Sequence, residues 1–539
     1  MDSKTIVFPA VGSKGYGQAG ASHTKRALKG FIAQSGSPQE DIDLNNYTLR
    51  QRGRMLYMSQ PIAASAIKIK RTKVVGVGLK PNPKINREFL GLDSKAAEEW
   101  QRHVKMEFTL WANKKNACDA TGMNDFYSMQ QLALVSWLVS GDVFALRKEQ
   151  EKTKDTPYKL RIHLVEADRC STPQDMLGYA TNLTEGKSKD GNRIYDGVEV
   201  RNDGMVEAYY FRNTYPYEMT ARKTEWVRVK AYGENTGLPN VLHIMNSERP
   251  EQYRGVTYLA QIIEPLLQLR RYTESELMAA VVNSIFTAFI TTEANTDMTG
   301  IPMNTAGEEG AERYDPSEYE MGPGNVLNLN PGESVQFAEP KHPASGFEDF
   351  VNAICMQIGS ALEIPSDLLT KEFNSSYSAS RAALLEAWES IRMYRTWFVD
   401  DFCNPVYEMW LSEAIATGRV SAPGFFTDPL VRKAWLGCEW IGPSQGQLDP
   451  GKEVKAEILA VQNGFTTHED ATMRLNGGDW NSNMDQLARE YEKLRRVALV
   501  QPSGIEEKDE EEDEEEDEEE DKECQHHKRS DRRKSNRDS

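Results

Sequence analysis

Gly186, Lys187 and Ser188 reproduce the end of a phosphate-binding loop, in which backbone N–H groups cradle a nucleotide's phosphates and a lysine reaches the terminal ones. Such a loop also needs an earlier glycine, and that position is Thr181; no complete GxxxxGK[ST] occurs in the chain. Gly12, Gly15 and Gly17 belong to a polar, glycine-rich arm and suggest no nucleotide site. Cys524, His526 and His527 have the donor atoms of a transition-metal site, but they stand in a highly charged tail. His163 and His243 fall in candidate strands, and neither HExxH nor a paired Cys/His spacing exists. GxSxG is absent as well. These residues argue against an ATPase, a metalloenzyme or a nucleophile-elbow hydrolase. A non-enzyme without a cofactor is expected.

Charge narrows the classes further. The net charge of -18 is concentrated at one end: residues 506–539 hold 18 acidic and 8 basic residues, or -10, which leaves -8 for the rest. Glu506 to Glu523 is nearly pure acid and Lys528 to Arg537 is basic, so residues 506–539 read as a disordered acidic, then basic, tail. Its sharper reading is an electrostatic hook for basic partners. Thr48 to Met106 is the opposite, with 13 Lys or Arg against 4 acids. Sequence-specific DNA-binding domains are usually basic overall, unlike this chain. Six cysteines without tight spacing suggest a reduced, intracellular setting. Met1 to Ala10 shows no secretory pattern, and the 16 uncharged residues Leu277 to Thr292 fall short of the ~20 a membrane span needs. No membrane association is expected.

The elements that must position any site follow from periodicity. Residues 1–46 read as a flexible arm. Helices are expected over Thr48–Lys70, Ser94–Trp111 and Asp125–Val139, then a strand over Val143–Arg147. Short strands follow at Leu160–Val165, Gly197–Val200, Val206–Phe211 and Val227–Lys230, with Asn202, Asp203 and Gly204 as a hairpin turn. Tyr258–Thr291 reads as helix with a kink or late start at Pro265. A strand pair, Asn325–Leu329 with Ser334–Phe337, and a helix Phe347–Leu362 come next. Asn374, Ser375, Ser376, Tyr377, Ser378 and Arg381 then lead into a helix running to Gly418. Leu384, Trp388, Ile391, Tyr394, Phe398, Phe402, Val406 and Trp410 share one face of it, and Pro405 should bend it. Two terminal helices, Lys452–Gln462 and Met484–Leu499, complete an α+β chain.

Several segments, taken in order, resemble the lambda-type portal proteins of tailed bacteriophages. They are Leu164 to Arg169 (LVEADR), Glu248-Arg249-Pro250 with Tyr253 to Val256 (YRGV), and Gly322 to Gly332. Asn374 to Ser378 with Arg381, Asn404 to Tyr407 with Trp410-Leu411, and Asp449 to Glu453 before Asn463-Gly464 follow. The likeness spans about Thr48 to Val497.

The resemblance implies a phage portal fold: a mixed α/β wing (residues 47–257), a two-helix stem (258–293 and 347–365) and a small β-containing clip (294–346). It further implies a tunnel loop (366–377), a kinked long helix with a wing return (378–442) and a helical crown (443–505). It implies a dodecameric ring at one capsid vertex of the virion, assembled in the host bacterial cytoplasm. Double-stranded DNA would enter and leave through it without sequence specificity. The terminase large subunit and then the head–tail adaptor would dock on it, and major capsid and scaffold proteins would surround it. By this likeness Lys371, Asn374, Ser375, Ser376 and Tyr377 face DNA. Arg270, Arg271, Glu274 and Glu276 make stem contacts between subunits, and Glu308, Glu309 and Glu312 meet motor or adaptor. The competing expectation is a minor head or scaffold protein without a DNA channel.

Overall fold

The computed structural model describes residues 20–21, 25–31, 35–153, 156–177, 185–219, 223–284, 288–292, 333–337, 346–372, 377–446 and 450–498. The chain divides into two units, Met1–Ala456 with Arg474–Gly477, and Glu457–Met473 with Gly478–Ser539. The second unit includes helix Trp480–Ala498, and in it the Trp480 ring stacks on His468 at 5.6 Å.

After a 3-10 turn, Arg26–Leu28, and a π-helical turn, Gln39–Asp43, come two helices, Leu44–Ser59 and Pro61–Val74, where the sequence pattern predicts one. Pro61 fixes its own φ and pushes Gln60 into extended backbone, yet suits the first turn of a new helix. Helix Ser94–Ala112 is capped by the Asp93 carboxylate, which accepts from Ala96 N at 2.9 Å. Helix Phe126–Ser140 is apolar nearly all round and therefore buried: Phe126, Met129, Ala133, Leu134, Trp137 and Leu138 are all inside. Gly141 ends it at φ +94 and swings the chain into strand Asp142–Glu149.

That strand is the centre of a three-stranded antiparallel sheet, between Leu160–Glu166 and Val241–Met245. A five-stranded antiparallel sheet holds Glu185–Lys187, Arg193–Tyr195, Val198–Val200, Val206–Arg212 and Trp226–Lys230 in that order. The predicted turn at Asn202 to Gly204 joins its third and fourth strands, with Gly204 at φ +86. Phe144, Val165, Tyr209, Phe211 and Val241 form a smaller core where the two sheets meet. Gly186 lies in the first strand of the larger sheet, paired with Ile194, and no helix follows Ser188 to receive a phosphate.

The larger core is organised around Phe108. Trp410, Trp111, Phe126 and Tyr407 surround its ring at 5.0–5.7 Å, and Trp440 lies at 6.0 Å. Trp440 belongs to strand Cys438–Ile441, which pairs antiparallel with Lys80–Pro83.

The long helix runs as Tyr377–Phe398, a π-helical turn Val399–Cys403, and Asn404–Ala416, with Gly418 left-handed beyond it at φ +72. Pro405 cannot donate to the preceding turn, and the wider π turn just before it absorbs the mismatch. Ile391, Phe398, Phe402, Val406 and Trp410 are buried as the apolar spacing predicts.

One helix is shorter than its apolar pattern suggests. Ile263–Ser284 starts late, with Pro265 in its first turn, and the chain has become a strand by Ala288–Thr292. That strand pairs antiparallel with Glu333–Phe337, Ile290 opposite Val335. The predicted partner of the second strand, Asn325–Leu329, lies outside the described residues. No helix among the described residues is long and apolar enough to cross a membrane.

Candidate functional site

Helices Ile263–Ser284 and Phe347–Ala361 form an antiparallel pair. Near one end Tyr272 packs against Phe347 at 5.5 Å and Phe350 at 4.6 Å; near the other, the Tyr258 hydroxyl donates to the Leu362 carbonyl. The first turns of Ile263–Ser284 are sequestered, with Leu266 and Leu269 buried. Further along, Leu277 is 65% exposed and Met278 61%, and Phe350 and Met356 on the paired helix are also exposed. Among the described residues nothing covers these large apolar side chains, a pattern typical of an association surface. Arg270 donates to Glu274 at 2.6 Å one turn on, and both are exposed. Arg271 is exposed, and Glu276 is half-buried.

Beyond Leu362 the chain turns through two left-handed residues, Glu363 (φ +50) and Lys371 (φ +62), on either side of the short helix Ser366–Thr370. Left-handed backbone is uncommon for residues other than glycine and is held here by its surroundings. Ser65 on helix Pro61–Val74 donates to the Leu369 carbonyl at 3.2 Å and pins the short helix. Lys371 ends it with an exposed side chain, one step before Glu372. Asn374, Ser375 and Ser376 lie outside the described residues. Tyr377 opens the long helix, and nothing is assigned to its side chain. A groove of about 1090 Å³ opens between this turn and the long helix; Met356, Ile364 and Met393 are among its apolar lining, Glu363, Asp367 and Glu386 among its acids.

A buried lysine lies at the centre of this corner. Lys70 is buried, donates to Ser390 Oγ at 2.8 Å, and lies 4.2 Å from the Tyr394 ring centre and 5.5 Å from that of Tyr258. Ser390 passes the interaction on to the Glu363 carboxylate. Burial pushes the ammonium down to about 8, with Glu363 opposing the shift. Helix Pro61–Val74, the start and end of the helix pair, and the long helix thus share one buried charge.

A second network ties the helices to the sheets. Arg254 is fully buried and uses all its donors. Its Nε gives to Asp142 at 2.7 Å, Nη2 to Asp142 and the Ala167 carbonyl, and Nη1 to the Asp196 carboxylate at 2.6 Å and the Cys170 carbonyl. Arg50 reaches Asp196 at 3.0 Å, Arg54 reaches Asp168 at 2.7 Å, and His243 lies 3.3 Å from Asp142. Burial alone would raise the Asp142 carboxyl, but Arg254 and Arg50 hold it well below the usual range. Next to these carboxylates Asp43, itself buried, is pushed up to about 7 by burial and by Asp196. The backbone must also pass closely here: a Cβ on Gly255 would sit 1.9 Å from the Gly141 carbonyl oxygen.

The two sequence motifs that meet here, LVEADR (164–169) and YRGV (253–256), are therefore halves of one buried clamp. They touch where Arg254 Nη2 gives to the Ala167 carbonyl, while the Asp168 charge is paired with Arg54 and the Arg254 charge with Asp142 and Asp196. Sequence reasoning missed Lys70, which counts as one more surface cation in a basic stretch, and gave Arg254 no role. Arg50, Asp142, Asp196 and Arg254 are far apart in the chain, so no local signal could have joined them. Arg381 and Glu453, from two further motifs, approach to 3.7 Å. Among the described residues no cluster of His, Cys, Asp or Glu could hold a metal, and five free cysteines are present. Glu308, Glu309, Glu312, Cys524, His526 and His527 lie outside the described residues.

An antiparallel helix pair with bare apolar ends, carried by a mixed α+β body with an internal clamp, defines a structural protein built to associate. The chain belongs to the phage portal proteins of the lambda family, whose sequence profile matches residues 24–395. It is similar to Portal protein B of Escherichia phage lambda, 22% identical over 495 residues that cover 88% of this chain and 90% of that one. It is also similar to the Portal protein of Escherichia phage N15, 22% identical over 488 residues, 86% of this chain and 88% of the relative. Among solved structures it is similar to a chain in the neck of a native gene transfer agent particle computed with C12 symmetry, at TM-score 0.41 and 13% identity, covering 80% of this chain and 93% of that chain.

Proposed function

We propose that copies of this chain close into a dodecameric ring at one capsid vertex, a non-enzymatic channel for double-stranded DNA. The observation that carries this is the apolar flank of the helix pair, Leu277 and Met278 with Phe350 and Met356, left bare in a member of a portal family. A neighbouring copy covers that flank and the groove beside Glu363, and Arg270, Arg271, Glu274 and Glu276 lie at the same seam. Residues 294–346 form the clip, where Glu308, Glu309 and Glu312 meet first the terminase large subunit and later the head–tail adaptor.

The channel must centre a duplex and let it slide. Lys and Arg contacts to phosphate dominate DNA affinity, and several per subunit repeated around a ring would brake it. The charge of -8 outside the tail and the small residues Asn374, Ser375, Ser376 and Ser378 suit a wall that does not grip. Lys371 is the cation nearest this loop in sequence, raised on left-handed backbone, and touches passing phosphates briefly.

Velocity sedimentation of the purified chain tests the reading. The expected species is a closed multimer near twelve times 61.0 kDa. A chain that stays at 61.0 kDa under every assembly condition would falsify it.

A further inference from the structure

Helix Trp480–Ala498 carries Met484, Leu487, Tyr491 and Leu494 at steps of three, four and three. This alternation is a heptad seam, with Met484 and Tyr491 at a and Leu487 and Leu494 at d. All four are exposed, by 44%, 41%, 68% and 62%. A regular apolar stripe in water calls for a helical partner.

The flanking charges select the partner and its direction. In this register Glu490 is a g residue and Arg495 an e residue, five positions later. In a parallel seam the g residue of one helix faces the e residue five positions on in the other, so opposite charges meet. An antiparallel seam would set g against g and e against e, putting like charges together. Within one chain Glu490 accepts from the Gln486 amide at 2.6 Å, a bond one turn back along the same helix.

We propose that helix Trp480–Ala498 packs in parallel against the same helix of the neighbouring copy, with Glu490 paired to Arg495 across the seam. This rests on the ring reading. Neighbours in a twelve-fold ring differ by a rotation of about 30°, so equivalent helices cannot lie antiparallel. The coiled-coil crossing of about 20° fits inside that limit. Each helix has two neighbours: the flank that carries Glu490 beside Leu487 and Leu494 faces one, and the flank that carries Arg495 beside Met484 and Tyr491 faces the other.

The test uses the full chain with Cys524→Ser, which removes the tail thiol, and adds Glu490→Cys and Arg495→Cys together. These positions are about 9 Å apart along their own helix, beyond the roughly 7 Å a disulfide can span. Any bridge is therefore between copies. After mild oxidation, a denaturing gel without reductant should show a ladder climbing well past dimers, and each single variant should show none. A ladder that stops at dimers overturns the ring seam, and bridging by Glu490→Cys alone overturns the parallel direction. Rings on the microscope grid with no ladder remove this seam and leave the ring reading standing. Absence of rings in the unmodified chain removes both.

Discussion

Lys371 and Arg254 show how differently two cations can serve one protein. Arg254 is locked by the Asp142 and Asp196 carboxylates and the Ala167, Cys170 and Asp196 carbonyls, and its pKa is held well above the ordinary range because Asp142 and Asp196 outweigh the burial that would lower it. Removing one member of such a buried set leaves the others unpaired, which makes it a structural clamp. Lys371 has the reverse character, exposed at the end of a short helix on left-handed backbone. If it touches passing phosphates, Lys371→Ala should change the packaging rate or the retention of packaged DNA while leaving ring assembly intact. Unaltered rate and retention in a packaging assay would remove Lys371 from the channel account.

At the scale of elements, the corner around Lys70 decides how the helix pair meets the long helix. Its folded-state value of about 8 lies below the ordinary 10.5, so the unfolded chain holds this proton more tightly. The site therefore weakens the fold at neutral pH, and stability rises between about pH 8 and 10.5, where the folded lysine has lost its proton and the unfolded one still holds it. Lys70→Met keeps an apolar stem against Tyr258 and Tyr394 in the side chain itself and removes the titration. At fixed protein concentration it should raise stability at pH 7 by about 1–3 kcal/mol and flatten the rise above pH 8, as read by thermal melts. A loss at pH 7 would show that the bond to Ser390 outweighs the cost of burying the charge.

The elements also show what was legible in sequence. Helix Ser94–Ala112 and strands Leu160–Glu166, Val198–Val200, Val206–Arg212 and Trp226–Lys230 were readable from period and flanking cap or turn residues, and Phe126–Ser140 from its long apolar run; the short strands Glu185–Lys187 and Arg193–Tyr195 were not. The break at Gln60-Pro61 was hidden by an apolar pattern that continues in phase across it. The stretch to Thr291 reads as helix because uncharged runs do not separate helix from strand by periodicity alone. Strand Ala288–Thr292 finds its partner at Glu333–Phe337, a distant pairing that local pattern cannot supply. The clamp at Arg254 was invisible for the same reason: Arg50, Asp142, Asp196 and Arg254 come together only once both sheets are folded.

At the scale of the whole molecule, one chain is an incomplete object. Apolar side chains are exposed on the helix pair and on helix Trp480–Ala498, while the buried Arg254 is paired with Asp142 and Asp196. The proposed ring gives this pattern its meaning: each subunit would finish its burial against copies of itself. The acidic run Glu506 to Glu523 is additional to the helices that make these contacts, and it adds negative charge rather than phosphate affinity. The most direct measurement is an electron cryomicroscopy reconstruction of the purified assembly, computed without imposed symmetry. It should show a closed ring of identical copies around an open hole wide enough for a duplex, with residues 373–376 at its lining. Compact particles with no central opening, or an opening lined by the basic residues of 48–106, would contradict the account.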